Sequence, residues 1–370
     1  MIRTVVQYVD SSIFGGSEQV LLQLLAGLDR GRWRPVLLHH PEPGLARLVD
    51  GARSAGVQVD SVPRVTDRNF PIRLPQLVSA IATQRPAVVH AQLNWPLACK
   101  FGLLAATLGR VPAVVATVHL VIEELLNGSV RLQGRIFGVG VHRYLAVSEH
   151  VRGRLAAGMG WPEQKLRVVP NGIDPAPFSQ PFDPALRQWL TRGSQRPLVF
   201  TAARLSPEKA IDVLVSAAAR VPEAVFAIAG DGPERAAIRM QVEALGISER
   251  VRLLGARSDI PALLAACDLF VLPSLVEGLP ISVLEAMAAA RPVVATRIGG
   301  TDEVVMDGRT GLLVPPQDPE PLAAAIRSFL ADPERGRQAG KAGREQLLAR
   351  FTSKVMIDAV SATYEELLAR

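Results

Sequence analysis

Short runs of β-branched and apolar residues alternate along the whole chain with longer stretches whose apolar positions recur at helical spacing. The first half predicts strands over 4–8, 35–39, 57–62, 87–91, 113–117, 144–147 and 166–169. The second half predicts strands over 198–203, 224–229, 251–254, 269–272, 292–295 and 311–314. Amphipathic stretches such as 18–28, 74–83 and 97–107 lie between them. Strands this uniformly apolar are buried on both faces, which is the pattern of a parallel sheet wrapped by helices. Prolines at positions 175, 177, 181 and 184, with Pro197 just beyond, make 174–196 read as a linker. The pattern ends in a helix over 355–369.

A chain of 370 residues exceeds what one hydrophobic core usually organises, so two domains are expected. Their bounds are 1–175 and 176–354, with 355–370 packing back toward the first. In sheets of this kind ligands bind at the carboxyl ends of the strands. Two such halves would place the site in a cleft between them.

Composition narrows the class. Hydrophobic residues are 48% and charged residues 21%, as in a globular protein with a large core. Cys99 and Cys267 stand far apart in apolar surroundings and read as buried reduced thiols. Residues 2–9 read as a strand rather than as a signal peptide. No uncharged apolar run reaches the roughly 18 residues needed to span a bilayer, because Arg110, Asp268 and Glu285 interrupt the longest ones. The net charge of +6 is unevenly placed: residues 1–180 carry 19 Lys and Arg against 12 Asp and Glu, and the remainder 22 against 23. Such a basic half suits acidic lipid head groups or a phosphorylated acceptor, with a merely solvated basic face as the alternative. Nucleic acid is disfavoured, since aromatics are 5% and no basic run is interleaved with them.

Three segments carry candidate chemistry. The first runs from Glu277 through Gly278, Leu279, Pro280, Ile281 and Ser282 to Glu285, leaving a strand and entering a helix with Pro280 near its first position. The amides from Leu279 to Ser282 would grip a diphosphate, and Gly278 would let it approach. Eight residues of helix rise about 12 Å. That is too far for a glycosidase pair, whose carboxylates stand roughly 5–9.5 Å apart. Two jobs on one long ligand fit better, with Glu277 on sugar hydroxyls and Glu285 on a ribose diol. The second segment, Arg204 to Lys209, puts two cations across a turn after a strand, where both can reach a diphosphate. The third, Gly15-Gly16-Ser17-Glu18, is a glycine turn whose amides could face phosphate or sugar oxygens, or simply join strand to helix.

In this order and spacing the three segments resemble the family 4 retaining glycosyltransferases of GT-B fold. Val169-Pro170-Asn171-Gly172-Ile173-Asp174, Ala229-Gly230-Asp231-Gly232-Pro233-Glu234, Gly299-Gly300-Thr301-Asp302-Glu303 and Asp307-Gly308-Arg309-Thr310-Gly311-Leu312 add to the match. The resemblance implies an α/β protein of two Rossmann-like domains with parallel sheets facing across a cleft. It assigns Arg204 and Lys209 to the diphosphate, Glu277 to the transferred sugar, Glu285 to the ribose, and Leu254, Gly255 and Arg257 to the base, with Gly230 nearby. His119 matches the histidine beside the reacting sugar, and Ser148 and Arg152 match an acceptor-side segment that also includes Gly16. Leu279, where many members carry an aromatic, and Asp302-Glu303, in place of Pro-Glu, leave the donor open between UDP and GDP sugars, with UDP favoured.

The expected reaction is transfer of a hexose with retention to a hydroxyl of a lipid-linked, phosphorylated or saccharide acceptor. No D-x-D motif follows a strand, so no catalytic metal and no cofactor beyond the nucleotide sugar are expected. The setting expected is the cytoplasm, with peripheral contact at the inner membrane face. The rivals are a sugar-nucleotide epimerase-like enzyme and a catalytically silent GT-B binding module. A dinucleotide oxidoreductase fails on the incomplete glycine pattern at Gly138-Val139-Gly140.

Overall fold

The computed structural model describes residues 2–369 and divides into two units. The first holds the residues up to Gly172 together with those from Ser353 onward; the second is Ile173–Thr352.

The first unit runs β1 (Arg3–Val9), α1 (Gly16–Gly27), β2 (Trp33–His39), α2 (Ala46–Ser54), β3 (Gln58–Ser61), α3 (Phe70–Thr83), β4 (Val88–Leu93), α4 (Lys100–Leu108), β5 (Ala113–Val118), α5 (Gly128–Phe137), β6 (Arg143–Ala146), α6 (Glu149–Arg154) and β7 (Leu166–Val168). All seven strands are parallel, in the order β3-β2-β1-β4-β5-β6-β7. The in-register pairs Val6 with Val36 and Val89 with Val114 lie in wholly buried stretches of sheet. The two crossovers after β1 and β2 run one way along this order, and those after β3, β4 and β5 run the other. Right-handed crossovers therefore place α1 and α2 on one face and α3, α4 and α5 on the opposite face.

The second unit runs α7 (Pro184–Thr191), β8 (Leu198–Ala202), α8 (Ile211–Ala219), β9 (Val225–Ala229), α9 (Arg235–Ala244), β10 (Val251–Gly255), α10 (Ile260–Ala266), β11 (Leu269–Leu272), α11 (Ile281–Ala288), β12 (Val293–Thr296), α12 (Thr301–Val304), β13 (Gly311–Val314), α13 (Pro319–Ala331) and α14 (Pro333–Arg350). Its six parallel strands lie in the order β10-β9-β8-β11-β12-β13. Phe226, Ile228, Leu214, Val294 and Ile326 belong to its core.

The last helix, α15 (Ser353–Leu368), belongs to the first unit. Tyr364 is fully buried there, edge-on to Trp33 with ring centroids 5.4 Å apart. Glu366 pairs with Arg143 at 2.7 Å and with Arg167 at 3.2 Å.

One sequence expectation is corrected. The proline-rich 174–196 is not a bare linker, because it folds α7. Asp183 caps that helix by accepting from the amides of Ala185 and Leu186, and Pro184 fills its first turn, where a missing N–H costs nothing. No described helix is long and apolar enough to cross a membrane.

Candidate active site

In each sheet the strand order reverses once, between β1 and β4 in the first and between β8 and β11 in the second. Loops leaving the carboxyl ends of strands at such a reversal diverge to opposite faces and open a crevice. All three candidate segments fall on these loops.

In the second unit, Lys209 comes from the loop after β8 and Glu277 from the loop after β11. They meet across the reversal with Nζ 2.6 Å from Oε1. The hydroxyl of Ser274 donates to the same carboxylate oxygen at 2.7 Å. Both partners are largely shielded, with side-chain exposures of 22% for Lys209 and 11% for Glu277. At such depth desolvation offsets much of the attraction between the two charges, but removing one partner strands the other.

Backbone contacts fix the surrounding loops. The Leu275 amide donates to the Glu208 carbonyl at 2.8 Å, joining the two loops directly. Thr296, at the end of β12, donates its hydroxyl to the Ser274 carbonyl at 2.5 Å. Gly299 adopts φ +47°, and a Cβ there would lie 2.1 Å from the Glu277 carbonyl oxygen, so only glycine allows the two loops to touch. Gly230 plays the same part for the cationic loop: at φ +140°, its missing Cβ leaves room for the Ala203 carbonyl at 1.8 Å. Its amide donates to the Gly255 carbonyl at 2.8 Å, so the ends of β8, β9 and β10 are drawn together.

Arg204 projects from this loop, exposed. Its charge is felt by Glu208. Burial would raise that carboxyl, but a hydrogen bond from Ser206 and the charges of Lys209 and Arg204 hold it below its ordinary value. Glu285 is buried in α11. Arg257 is held by Asp259 through contacts of 2.8 and 2.5 Å and lies near the Trp189 ring, while Leu254 and Gly255 close β10.

In the first unit, Gly15 caps α1 and its amide donates to Glu18 Oε2 at 2.9 Å. The Ser17 hydroxyl donates to the same oxygen at 2.9 Å, and Asn94, from the loop after β4, reaches the other at 3.4 Å. Here too a polar contact spans the strand reversal. His119 follows β5, its amide bonded to the Leu93 carbonyl at 2.9 Å. Its Nε2 stands 3.0 Å from Gln92 Oε1, whereas its Nδ1 is buried with no hydrogen-bond partner. Burial lowers its pKa to about 4, against an opposing pull from Glu18.

Several expected placements change. Pro280 is the N-cap of α11 rather than its first residue, so the free first-turn amides are those of Ile281, Ser282 and Val283; Leu279 lies before the turn, its side chain buried. Glu277 precedes the helix by several residues of irregular chain, so the 12 Å helical reckoning between it and Glu285 does not apply. Gly15 offers no amide to a ligand because Glu18 takes it; Gly16 opens the helix beside it. Ser148 is fully buried and caps α6, its hydroxyl accepting from the Val151 amide. Arg152 is half-buried on α6 and pairs with Glu149 at 2.6 Å.

Residues 14–177 match the profile of Glycosyltransferase Family 4, and residues 183–346 that of glycosyl transferases group 1. The GDP-mannose-dependent α-(1-6)-phosphatidylinositol monomannoside mannosyltransferase of Mycobacterium tuberculosis is 31% identical over 360 residues, 91% of each chain. The chain is a family 4 glycosyltransferase. An enzyme of the same name from Mycolicibacterium smegmatis is 36% identical over 216 residues, 55% of this glycosyltransferase and 56% of that one. Anabaena HepE in complex with UDP superposes with a TM-score of 0.85 at 22% identity, over 99% of this chain and 100% of that chain, and shares the two-sheet GT-B fold.

Proposed function

We propose that this glycosyltransferase moves a sugar from a nucleoside diphosphate to a hydroxyl of a lipid-linked acceptor, with retention and without a metal. The contact between Lys209 and Glu277 across the strand reversal carries this reading. As the bond between the anomeric carbon and the diphosphate breaks, negative charge grows on the departing oxygen. Arg204, Lys209 and the amides of Ile281–Val283 are the positive groups disposed to meet it. The departing oxygen takes the acceptor's proton while the new glycosidic bond forms on the same face of the sugar. Glu277, braced by Ser274, holds sugar hydroxyls, and Glu285 holds the ribose. A mannosyltransferase relative named for GDP-mannose makes GDP sugars the first to test beside the UDP sugars that the sequence favours.

A lipid-linked acceptor is supported by where the basic excess lies. Segments 68–83, 100–110 and 128–140, which contain α3, α4 and α5 on one face of the first sheet, hold six Lys and Arg and no Asp or Glu. On α5 and just beyond it, Leu132, Ile136 and Val139 follow one another at helical spacing and are 59%, 55% and 74% exposed. Arg131 and Arg135 are exposed beside them. Lys100 is paired with Asp67 at 2.6 Å, but exposed apolar side chains beside Arg131 and Arg135 suit an anionic bilayer surface.

The test is nucleoside diphosphate release from a panel of UDP and GDP sugars with lipid-linked acceptors, followed by NMR of the product's anomeric configuration. Retention with chelator-insensitive release is expected. An epimerised donor without release would favour the epimerase-like rival, binding without turnover the silent module, and inversion would overturn the mechanism. Vesicles rich in phosphatidylserine should float the protein at low salt and lose it at high salt; equal flotation with neutral vesicles would remove the membrane argument.

A further inference from the structure

Behind His119 runs a continuous line of buried polar side chains. Gln92 presents its Oε1 to His119 Nε2 and donates its Nε2 to Gln7 Oε1 at 3.0 Å. Gln7 donates its own Nε2 to the Tyr364 hydroxyl at 3.0 Å. That hydroxyl lies 2.6 Å from His90 Nδ1, and His90 Nε2 lies 2.7 Å from Thr117 Oγ1. Gln7, His90 and Gln92 are buried, and Tyr364 is fully so. None of them belongs to the residues assigned above to donor or acceptor.

We infer that Tyr364, on the C-terminal helix, is a positioning residue that works through Gln7 and Gln92 to hold His119 as the tautomer protonated on Nε2. The inference rests on the reading that His119 faces the reacting sugar. A neutral imidazole has one donor nitrogen and one acceptor nitrogen, and the partner of one fixes the role of the other. A carbonyl oxygen accepts only, so His119 Nε2 must carry the proton that faces Gln92 Oε1. Gln92 keeps this orientation as long as Gln7 presents Oε1 to its nitrogen. Gln7 is held in turn, because its nitrogen needs an acceptor and the Tyr364 oxygen supplies it. The phenolic proton goes to His90 Nδ1, which leaves His90 Nε2–H to donate to Thr117. With the phenolic proton directed to His90 Nδ1, each contact of the line pairs one donor with one acceptor, and the direction set at Tyr364 and His90 is passed to His119.

The consequence falls on the free nitrogen. His119 Nδ1 is buried without a partner and carries a lone pair. It accepts a hydrogen bond from a sugar hydroxyl and donates none. His119 therefore orients a hydroxyl and does not act as a general acid at neutral pH. Removing the phenol hydroxyl takes away the nearer of the two acceptors of the Gln7 nitrogen and leaves only His90 Nδ1 at 3.5 Å, which loosens the hold on Gln7 and Gln92, and the histidine can then settle with its proton on Nδ1.

The experiment is long-range nitrogen–proton correlation NMR on the ¹⁵N-labelled, ligand-free full chain, with the His119 signals assigned by their loss in H119N. Tyr364→Phe keeps the ring and Gln7→Met breaks the line at a different link. Trp33→Phe, which disturbs the packing around Tyr364 without touching the line, is the control. The wild type and the control should show Nε2–H at neutral pH, and both line variants should show substantial Nδ1–H. The line variants should lose about threefold to tenfold in kcat/KM, the fold-change of one weakened hydrogen bond. A wild-type Nδ1–H tautomer, or line variants that keep Nε2–H, would overturn the inference. Because the tautomer is read without substrate, a shifted tautomer with unchanged kcat/KM would uphold the relay and sink only the placement of His119 at the sugar.

Discussion

Gly299→Ala tests whether Glu277 is held by its neighbours' backbone rather than merely located near them. The added Cβ would stand 2.1 Å from the Glu277 carbonyl oxygen and 3.2 Å from its carbonyl carbon. Comfortable carbon–oxygen contact begins at about 3.3 Å, so the loops must part by roughly 1 Å. The Glu277 loop has little freedom to yield. Its carboxylate is gripped by Lys209 and Ser274, and its carbonyl accepts from the Gly300 amide at 3.4 Å. At φ +47° the alanine also adds a left-handed penalty of about 1–2 kcal/mol. With the steric term, the stability loss should be about 2–4 kcal/mol. A shift of about 1 Å in a substrate-holding group costs on the order of 100-fold in rate. Gly308→Ala is the control, since its φ is +75° but nothing lies within 4 Å of its missing Cβ. Urea unfolding and initial rates of nucleoside diphosphate release on both variants read the two effects. Near-normal turnover in Gly299→Ala, or an equal loss of turnover in Gly308→Ala, would refute the buttress.

Lys209→Ala should lower kcat by about 100- to 1,000-fold, the usual cost of losing one preorganised charge at a departing anion, as steady-state kinetics would show. Glu277→Gln should keep the Ser274 contact but leave the Lys209 ammonium without its counter-charge, so it should unfold more easily than wild type and lose turnover; full activity would remove Glu277 from the site. Acid should weaken the fold in a definite direction. His90 and His119 are held neutral by burial, with pKa values lowered to about 3 and about 4. The unfolded chain therefore takes up these protons first, so stability present above about pH 6.5 is lost as pH falls toward 4. In unfolding measured from pH 7.5 to 4.5, His90→Gln should start less stable than wild type and close the gap; parallel curves would contradict this. Tyr364→Ala should cost about 3–5 kcal/mol through the cavity it leaves, whereas Tyr364→Phe should cost far less, both read by urea midpoint.

Much of the fold was legible because its strands are buried on both faces. Phe226 and Val271 sit in strands with no polar interruption, and Val5 and Val89 in strands that stay mainly apolar around Gln7, His90 and Gln92; such runs are hard to mistake for helices when glycine and polar turns bracket them. The helix Pro184–Thr191 was missed because prolines are read as breakers, although Pro184 follows a capping aspartate, where it starts a helix. At the site, the residue types that bear charge were visible, but their partners were not. Ser274 lies three positions before Glu277, and its hydroxyl reads as an ordinary loop serine until the turn brings it to the carboxylate. Glu18 looked like part of a ligand-facing turn, yet it folds back to cap its own helix; a glutamate three residues after Gly15 was the available signal. Gln7, Gln92 and Tyr364 could not be linked from sequence at all, since the first and last lie 357 positions apart and meet only through the return of the final helix.

The central claim is that Arg204, Lys209 and the opening turn of α11 receive a diphosphate. Calorimetric titration of UDP and GDP into the wild type and into the double variant Arg204→Ala/Lys209→Ala tests it most directly. The account predicts that at least one nucleotide binds the wild type, that the corresponding nucleoside without phosphate binds far more weakly, and that the double variant loses the difference. Equal nucleotide affinity in wild type and double variant would contradict it.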